Sequence, residues 1–308
     1  MNNRPTYKPE DLDAQHAWFN PAKRSDRGRE VPITFDAPTF VSAGAVATIR
    51  RAFQLARTGR DGWQSHKYEG RFDNRAAARA TRQELDVFKH RTGESAPRVK
   101  VAILIDASGS MAKDDAKIEN PLDRTMKMIT SRRLAAAAFG ATIAKALGAV
   151  PTVDLDVYQH SANRGSMVIK WRWSRGTPIR VFNRASDRGI GRSGNADGHA
   201  LVAIADRMLR SMKRNERGVI MVVSDGLPSV PGDGGLYGSA AGQALIDAVA
   251  HCRKHGITVV GVAIDGSDQT VYYGADTIPF TGDWMALGKH LARLVGKALA
   301  TPVVTKRR

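Results

Sequence analysis

The sequence holds one cysteine, Cys252, in 308 residues. A disulfide framework within the chain is therefore impossible, and a thiolate zinc site lacks its ligands. Long apolar runs are missing as well. The strongest, 101–105 and 219–223, have the length of a strand, far short of the ~20 residues that span a bilayer. The opening Met1-Asn2-Asn3-Arg4-Pro5 carries none of the apolar core of a secretory signal. These absences lead to the expectation of a soluble, cytoplasmic protein in a reducing compartment, with no membrane partner. Acidic residues are in deficit: 30 Asp and Glu stand against 47 Lys and Arg, a formal net charge of +17. That balance points to an anionic partner, whether nucleic acid, an acidic protein or an anionic surface. A hydrophobic content of 42% with 25% charged residues excludes wholesale disorder.

What is present divides the chain in two. The length allows two domains, or one large domain with an extension. Residues 1 to about 40 are polar, carry Pro5, Pro9, Pro21, Pro32 and Pro38, and read as an arm with little regular structure. Residues 41–59 have a helical stripe of Val46, Ile49, Phe53 and Leu55, with Ser42 as a possible cap and Gly59 as a stop. A second helix is expected from about Asn74 to Arg91, and Gly93 to Pro97 reads as a linker. The expected division is 1–96, an N-terminal arm and mainly helical extension, and 97–303, an α/β domain.

From residue 99 the pattern alternates. Residues 99–105, 219–224 and 257–264 are apolar runs suited to strands buried on both faces, and 153–159 and 167–173 add two more strands. Helices are expected at 124–147, 198–213, 239–255 and 283–299. This order predicts an α/β fold: a doubly wound, mostly parallel sheet with helices on both faces. Ligands of such sheets bind in the loops at the carboxyl ends of the strands.

The loop after the first buried strand reads Asp106-Ala107-Ser108-Gly109-Ser110. Three oxygen-bearing side chains two residues apart in a tight turn suit a hard divalent cation. The second buried strand ends in Ser224-Asp225-Gly226, which brings Asp225 to the same sheet edge, and Gly226 allows a sharp turn there. A third loop, Gly194-Asn195-Ala196-Asp197-Gly198, opens a helix and offers Asn195 and Asp197 as ligands or as helix caps. The Asp-Ser-Ser turn also has a plainer reading, a strand end closed by local hydrogen bonds.

Together these loops resemble the metal-ion-dependent adhesion site (MIDAS) of von Willebrand factor A (VWA) domains, which have a Rossmann-like fold. Asp106, Ser108 and Ser110 match that family's first motif, and Asp225 its last. The Thr of the family's middle loop is replaced by Asn195, which leaves the third ligand open between Asn195 and Asp197. The middle loop, with Gly70-Arg71-Phe72-Asp73-Asn74-Arg75, Val87-Phe88-Lys89 and Asp268-Gln269-Thr270-Val271-Tyr272-Tyr273, is similar to the VWA part of the aerobic cobaltochelatase CobT-type subunit. That likeness covers roughly residues 66–300. His199 stands where that family commonly has Glu, and this chain is shorter and more basic.

The resemblance implies Mg²⁺ (or Mn²⁺ or Ca²⁺) at the site, with one coordination position left for an acidic residue of a partner protein. It also implies a MoxR/CobS-type AAA+ ATPase as co-worker. The chain has no Gly-x-x-x-x-Gly-Lys-Ser/Thr loop of its own. The function expected is a metal-dependent adaptor subunit. One alternative is a cobaltochelatase subunit acting in cobalt insertion into a corrin ring; another is a basic nucleic-acid-binding protein. No nucleophile with an adjacent base is legible, so catalysis by this chain alone is not expected.

The charge has an address: residues 162–217 hold 13 Lys and Arg against 4 Asp and Glu. With Trp171 and Trp173 in that stretch, the readings are a surface for an acidic protein, a nucleic-acid surface or a solvated face with core tryptophans. An acidic protein partner is the first choice and nucleic acid the second. Gly189 to Gly194 matches Gly-x-Gly-x-x-Gly, but comes after no clear first strand and reads as a loop. His251, Cys252 and His255 have helical spacing and read as a helix face, while Met111, Met126 and Met128 read as packing residues.

Overall fold

A computed structural model describes residues 37–58, 63–69, 71–76, 81–82, 86–91, 98–120, 123, 125–163, 166–179, 182, 194–213, 216–226, 228, 239–264 and 266–300. Most of the polar arm, the linker after Gly93, the glycine loop before Gly194 and the basic tail fall outside them. So do many of the arginines between 164 and 192.

The centre is a six-stranded sheet. Its strands are β4 (Val99–Asp106), β7 (Val153–Asn163), β8 (Ser166–Ser174), β9 (Arg217–Ser224), β10 (Ile257–Ala263) and β11 (Thr277–Pro279), in the spatial order β11-β10-β9-β4-β7-β8. All neighbours run parallel except β8, which returns antiparallel on β7. Two apolar cores flank this sheet, and successive residues of one strand feed opposite ones. Val101, Ile103 and Ile105 enter the first core, and Ala102 and Leu104 enter the second. β9 divides the same way, Val219, Met221 and Val223 against Ile220 and Val222. Burial on both faces is why these strands read as unbroken apolar runs rather than as alternations.

Helices cover both faces. The first core takes α1 (Ala43–Thr58), α2 (Arg132–Leu147) and α6 (Trp284–Ala300); the second takes α3 (Asp197–Ser211) and α4 (Ser239–Lys254). A one-turn helix, α5 (Thr270–Tyr273), comes after β10. The expected α/β architecture, doubly wound with helices on both faces, is the architecture found.

Local chemistry sets the helix ends. Ser42 Oγ accepts from Ala45 N at 3.4 Å, and Ser131 Oγ accepts from Leu134 N at 3.2 Å, so both serines act as N-caps. The α1 stripe of Val46, Ile49 and Phe53 is buried against α6 and α2. Arg50 on α1 donates to the carbonyls of Lys145 (3.1 Å) and Ala146 (3.3 Å), placing a cation at the C-terminus of α2 where the helix dipole favours one.

Three expectations are corrected. The helix from Asn74 to Arg91 does not form: Asn74–Ala76 is a single 3₁₀ turn and Phe88–Arg91 is β3. β3 is the middle strand of a small antiparallel sheet with β1 (Trp63–Lys67) and β2 (Arg71–Phe72), so the described residues of the N-terminal part include strands as well as helix. The pairing of Phe72 with Phe88 is non-local, so helical spacing along the chain could not show it. The helix expected from 124 begins at Arg132. Ahead of it β5 (Ala116–Glu119) and β6 (Lys127–Thr130) form a hairpin, and Met126, expected to pack, is exposed on it. Met111 is fully buried and Met128 partly so, as expected.

Candidate metal centre

Asp106 is the last residue of β4, and Asp225 comes directly after β9, the strand beside it. Their positions at one sheet edge are set by the register: Ile105 pairs with Val223. Gly226 then turns the chain at φ +97°, a conformation that an L side chain resists. The third loop is pinned to the end of β7 by a two-bond bridge between Ala162 and Gly194, at 2.9 and 3.0 Å. Gly198, at the start of α3, lets that helix approach α4: a Cβ there would meet the Ala244 carbonyl at 2.9 Å.

The expected residues come together. Ser108 N donates to Asp106 Oδ1 at 2.7 Å, and Ser108 Oγ donates to Asp106 Oδ2 at 3.0 Å. The hydroxyls of Ser108 and Ser110 lie 2.9 Å apart. Asn195 is the hub. Its amide nitrogen faces Asp106 Oδ2, Asp197 Oδ2 and Ser224 Oγ, each at 2.9 Å, while its Oδ1 accepts from Asp197 N at 3.0 Å. With nitrogen and oxygen both engaged, Asn195 holds the loops in place. Asp197 turns to His160: their Oδ1 and Nε2 are 3.0 Å apart, an ion-pair distance, although the ring is off the line of a good hydrogen bond. Both side chains are completely buried.

Four participants were not singled out in the sequence. His160 pairs in register with Asp106 across β4 and β7, so its place at a strand end was the available signal. Ser224 Oγ donates to Asp106 Oδ2 at 3.2 Å. Arg132 and Arg133 open α2. Arg132 Nη1 donates to Asp225 Oδ2 at 2.8 Å, and Arg133 Nη2 donates to the Ser108 carbonyl at 3.1 Å. The signal for these two was their position. Two cations in the first turn of a helix, with no acid there, run against the helix dipole and need partners elsewhere.

The electrostatics are those of crowded carboxylates. Burial, then the neighbouring Asp197 and Asp225 charges, push the Asp106 carboxyl up to about 7. Burial lowers His160, but the Asp197 contact and the nearby Asp106 more than reverse this and leave the imidazole raised. Asp225 Oδ1 is buried and has no hydrogen-bond partner among the described residues. An orphaned carboxylate oxygen, a carboxyl raised by like charges and two adjacent hydroxyls form a hard-oxygen donor set that fits a divalent cation. Among the described residues no three His, Cys, Asp or Glu side chains form a group that could hold a metal ion by themselves. His251, Cys252 and His255 form no metal group either.

The basic stretch is only partly described. Within it Trp173 is buried and donates through Nε1 to the Thr177 carbonyl at 2.6 Å, and Arg175 donates to the carbonyls of Val150 and Val153 at 2.5 and 2.7 Å. Trp173 packs at the sheet edge, and Arg175, exposed overall, ties that edge to the β7 side through its hydrogen bonds. No described helix is long and apolar enough to cross a membrane.

No protein-family model matches the sequence, and no curated relative does. Solved structures are similar over part of this chain. The PilB minor pilin from Streptococcus sanguinis has 14% identity and a TM-score of 0.47, over 70% of this chain and 66% of that one. The vWF domain of the type V pili tip protein Mfa5 from Porphyromonas gingivalis has 11% identity and a TM-score of 0.46, over 68% and 99%. The SpRpn10 VWA domain has 14% and 0.39, over 67% and 96%. The match to the pilus adhesin SpaC from Lactobacillus rhamnosus GG spans 31% of that longer chain.

Proposed function

We propose that this chain is a VWA-type protein-interaction subunit that binds Mg²⁺ at its strand-end site and uses it to capture an acidic residue of a partner. Ser108, Ser110 and Asp225 would hold the ion, with Asp106 behind the two serines and Asn195 fixing Asp106. A bound divalent ion supplies a Lewis-acidic position to which an incoming carboxylate can add. The observation that carries this reading is the buried Asp225 Oδ1, which lacks a partner among the described residues at the sheet edge where Ser108 and Ser110 bring two hydroxyls within 2.9 Å of each other.

The protein's own residues set what the site accepts. Asp106 and Asp225 offset a divalent charge, so a third carboxylate from outside is electrostatically acceptable. The net basic segment over 162–217 favours an acidic partner at longer range. The burial of Trp173 removes one of two aromatics that a nucleic-acid platform would use, which favours a protein.

The resemblance to the CobT-type VWA part adds the co-worker, a MoxR/CobS-type AAA+ ATPase that hydrolyses ATP while this chain selects the target. Affinity purification of the tagged full chain from its native host, in Mg²⁺ or in EDTA, tests this. An AAA+ ATPase recovered in Mg²⁺ and lost in EDTA is expected. A complex indifferent to EDTA contradicts the metal-mediated contact, and recovery of no AAA+ protein contradicts the co-worker.

A further inference from the structure

The guanidinium of Arg132 is shared between two carboxylates. Nε and Nη2 grip the two oxygens of Asp115, each at 2.6 Å, and Nη1 reaches Asp225 Oδ2 at 2.8 Å. Arg132 and Asp225 are almost fully buried, and Asp115 is about half exposed at 49%. The arrangement is rigid for a local reason. Asp115 immediately precedes β5 and Arg132 lies two residues past β6, so their pair closes the base of the hairpin, which the Arg132 N–H to Lys113 carbonyl bond (3.0 Å) also ties. Asp225 thus has one oxygen held by a tethered cation and the other without a partner among the described residues.

We infer that Arg132 is a positioning residue that competes with the divalent ion for Asp225 and sets the affinity of the centre, and that Asp115 tunes this competition by drawing the guanidinium away. The inference rests on the metal reading above. A planar, always-charged guanidinium beside a ligand carboxylate opposes a second cation on it and withholds the oxygen it binds. Asp115 works in the opposite sense. It engages two of the three guanidinium nitrogens and offsets the arginine charge. The two residues that hold each other should therefore act with opposite signs on metal binding. That is the mark of an electrostatic device; a scaffold would weaken in one direction whichever partner was lost.

The test is Mn²⁺ affinity of the full chain, read from the electron paramagnetic resonance signal of the free ion, for the native protein, Arg132→Gln and Asp115→Asn. Arg132→Gln should tighten binding by roughly tenfold, and Asp115→Asn should weaken it several-fold, of order threefold or more. Arg132→Gln binding no tighter than native, or Asp115→Asn binding no weaker, overturns the inference. If Arg132→Gln does not fold, the half-exposed Asp115→Asn decides alone. Native protein that binds Mn²⁺ with both variants unchanged leaves the metal reading standing and removes only this inference. Binding confined to Arg132→Gln upholds the competition but contradicts Mg²⁺ in the native protein. Binding by none of the three overturns both.

Discussion

Asn195 Nδ2 lies 2.9 Å from Asp106 Oδ2, joining two loops 89 residues apart in the chain. The same amide nitrogen reaches Asp197 and Ser224. An amide is suited to this place because it donates among carboxylates without adding to their charge. Asn195→Asp should therefore be the worse of two replacements in metal-free protein, at a cost of about 3 kcal/mol, since it adds a buried like charge. Asn195→Ala should cost about 1–3 kcal/mol from unsatisfied neighbours. Urea denaturation in EDTA gives the order; an Asp variant as stable as native would show that the amide is not the hub.

Asp106 gives the metal-free protein a pH dependence of unusual sign. Its carboxyl titrates near 3.8 when unfolded and is pushed up to about 7 when folded, by burial and its acidic neighbours. Between these values the unfolded chain has released the proton and the folded one retains it, so stability falls as pH rises from about 4 to 7. His160 acts in the same direction. Its folded value is raised, so its contribution is complete below its unfolded 6.5 and is lost as pH rises through the folded value. Urea midpoints in EDTA from pH 4 to 8 should decline, and Asp106→Asn should flatten the slope. A rising or level native curve contradicts the raised carboxyl.

Metal binding should then release protons. An ion beside Asp106 favours its charged form, so a group still partly protonated near pH 6.5 gives up its proton on binding. Calorimetric titrations with Mg²⁺ at pH 6.5, in two buffers of different ionisation enthalpy, should yield different apparent heats. Equal heats would mean that Asp106 is already ionised.

Gly282 locks the hairpin to the loop ahead of α6. It sits at φ +81°, a Cβ there would come within 2.2 Å of the Lys117 carbonyl oxygen, and its own carbonyl accepts from Glu119 N at 3.2 Å. Gly282→Ala should cost about 2–4 kcal/mol, because strain and clash act together. Thermal denaturation measures it, and an unchanged midpoint would contradict the close approach.

Burial and strand position were the legible part of the sequence. β4, β9 and β10 stood out because both faces are covered, which leaves few polar positions in each. Asp106, Ser108, Ser110 and Asp225 stood out because neighbouring parallel strands deliver their next loops to one sheet edge. The β1-β3-β2 sheet was hidden, since Phe72 and Phe88 owe their conformation to each other rather than to their neighbours in the chain. Arg132 was hidden for the same reason, its partner Asp225 lying 93 residues away. The separate places of Asn195 and Asp197 were not legible in the sequence, since they depend on distant partners: Asn195 is engaged at both ends and Asp197 faces His160.

Direct calorimetric titration of Mg²⁺ into metal-free native protein and into Ser108→Ala/Ser110→Ala tests the centre itself. On the proposed reading the serine hydroxyls, 2.9 Å apart, would complete the ligand set. One ion per chain in the native protein, and binding at least about tenfold weaker in the double variant, is the expected result. No binding by the native protein, or equal binding by both, would contradict a metal centre at this sheet edge.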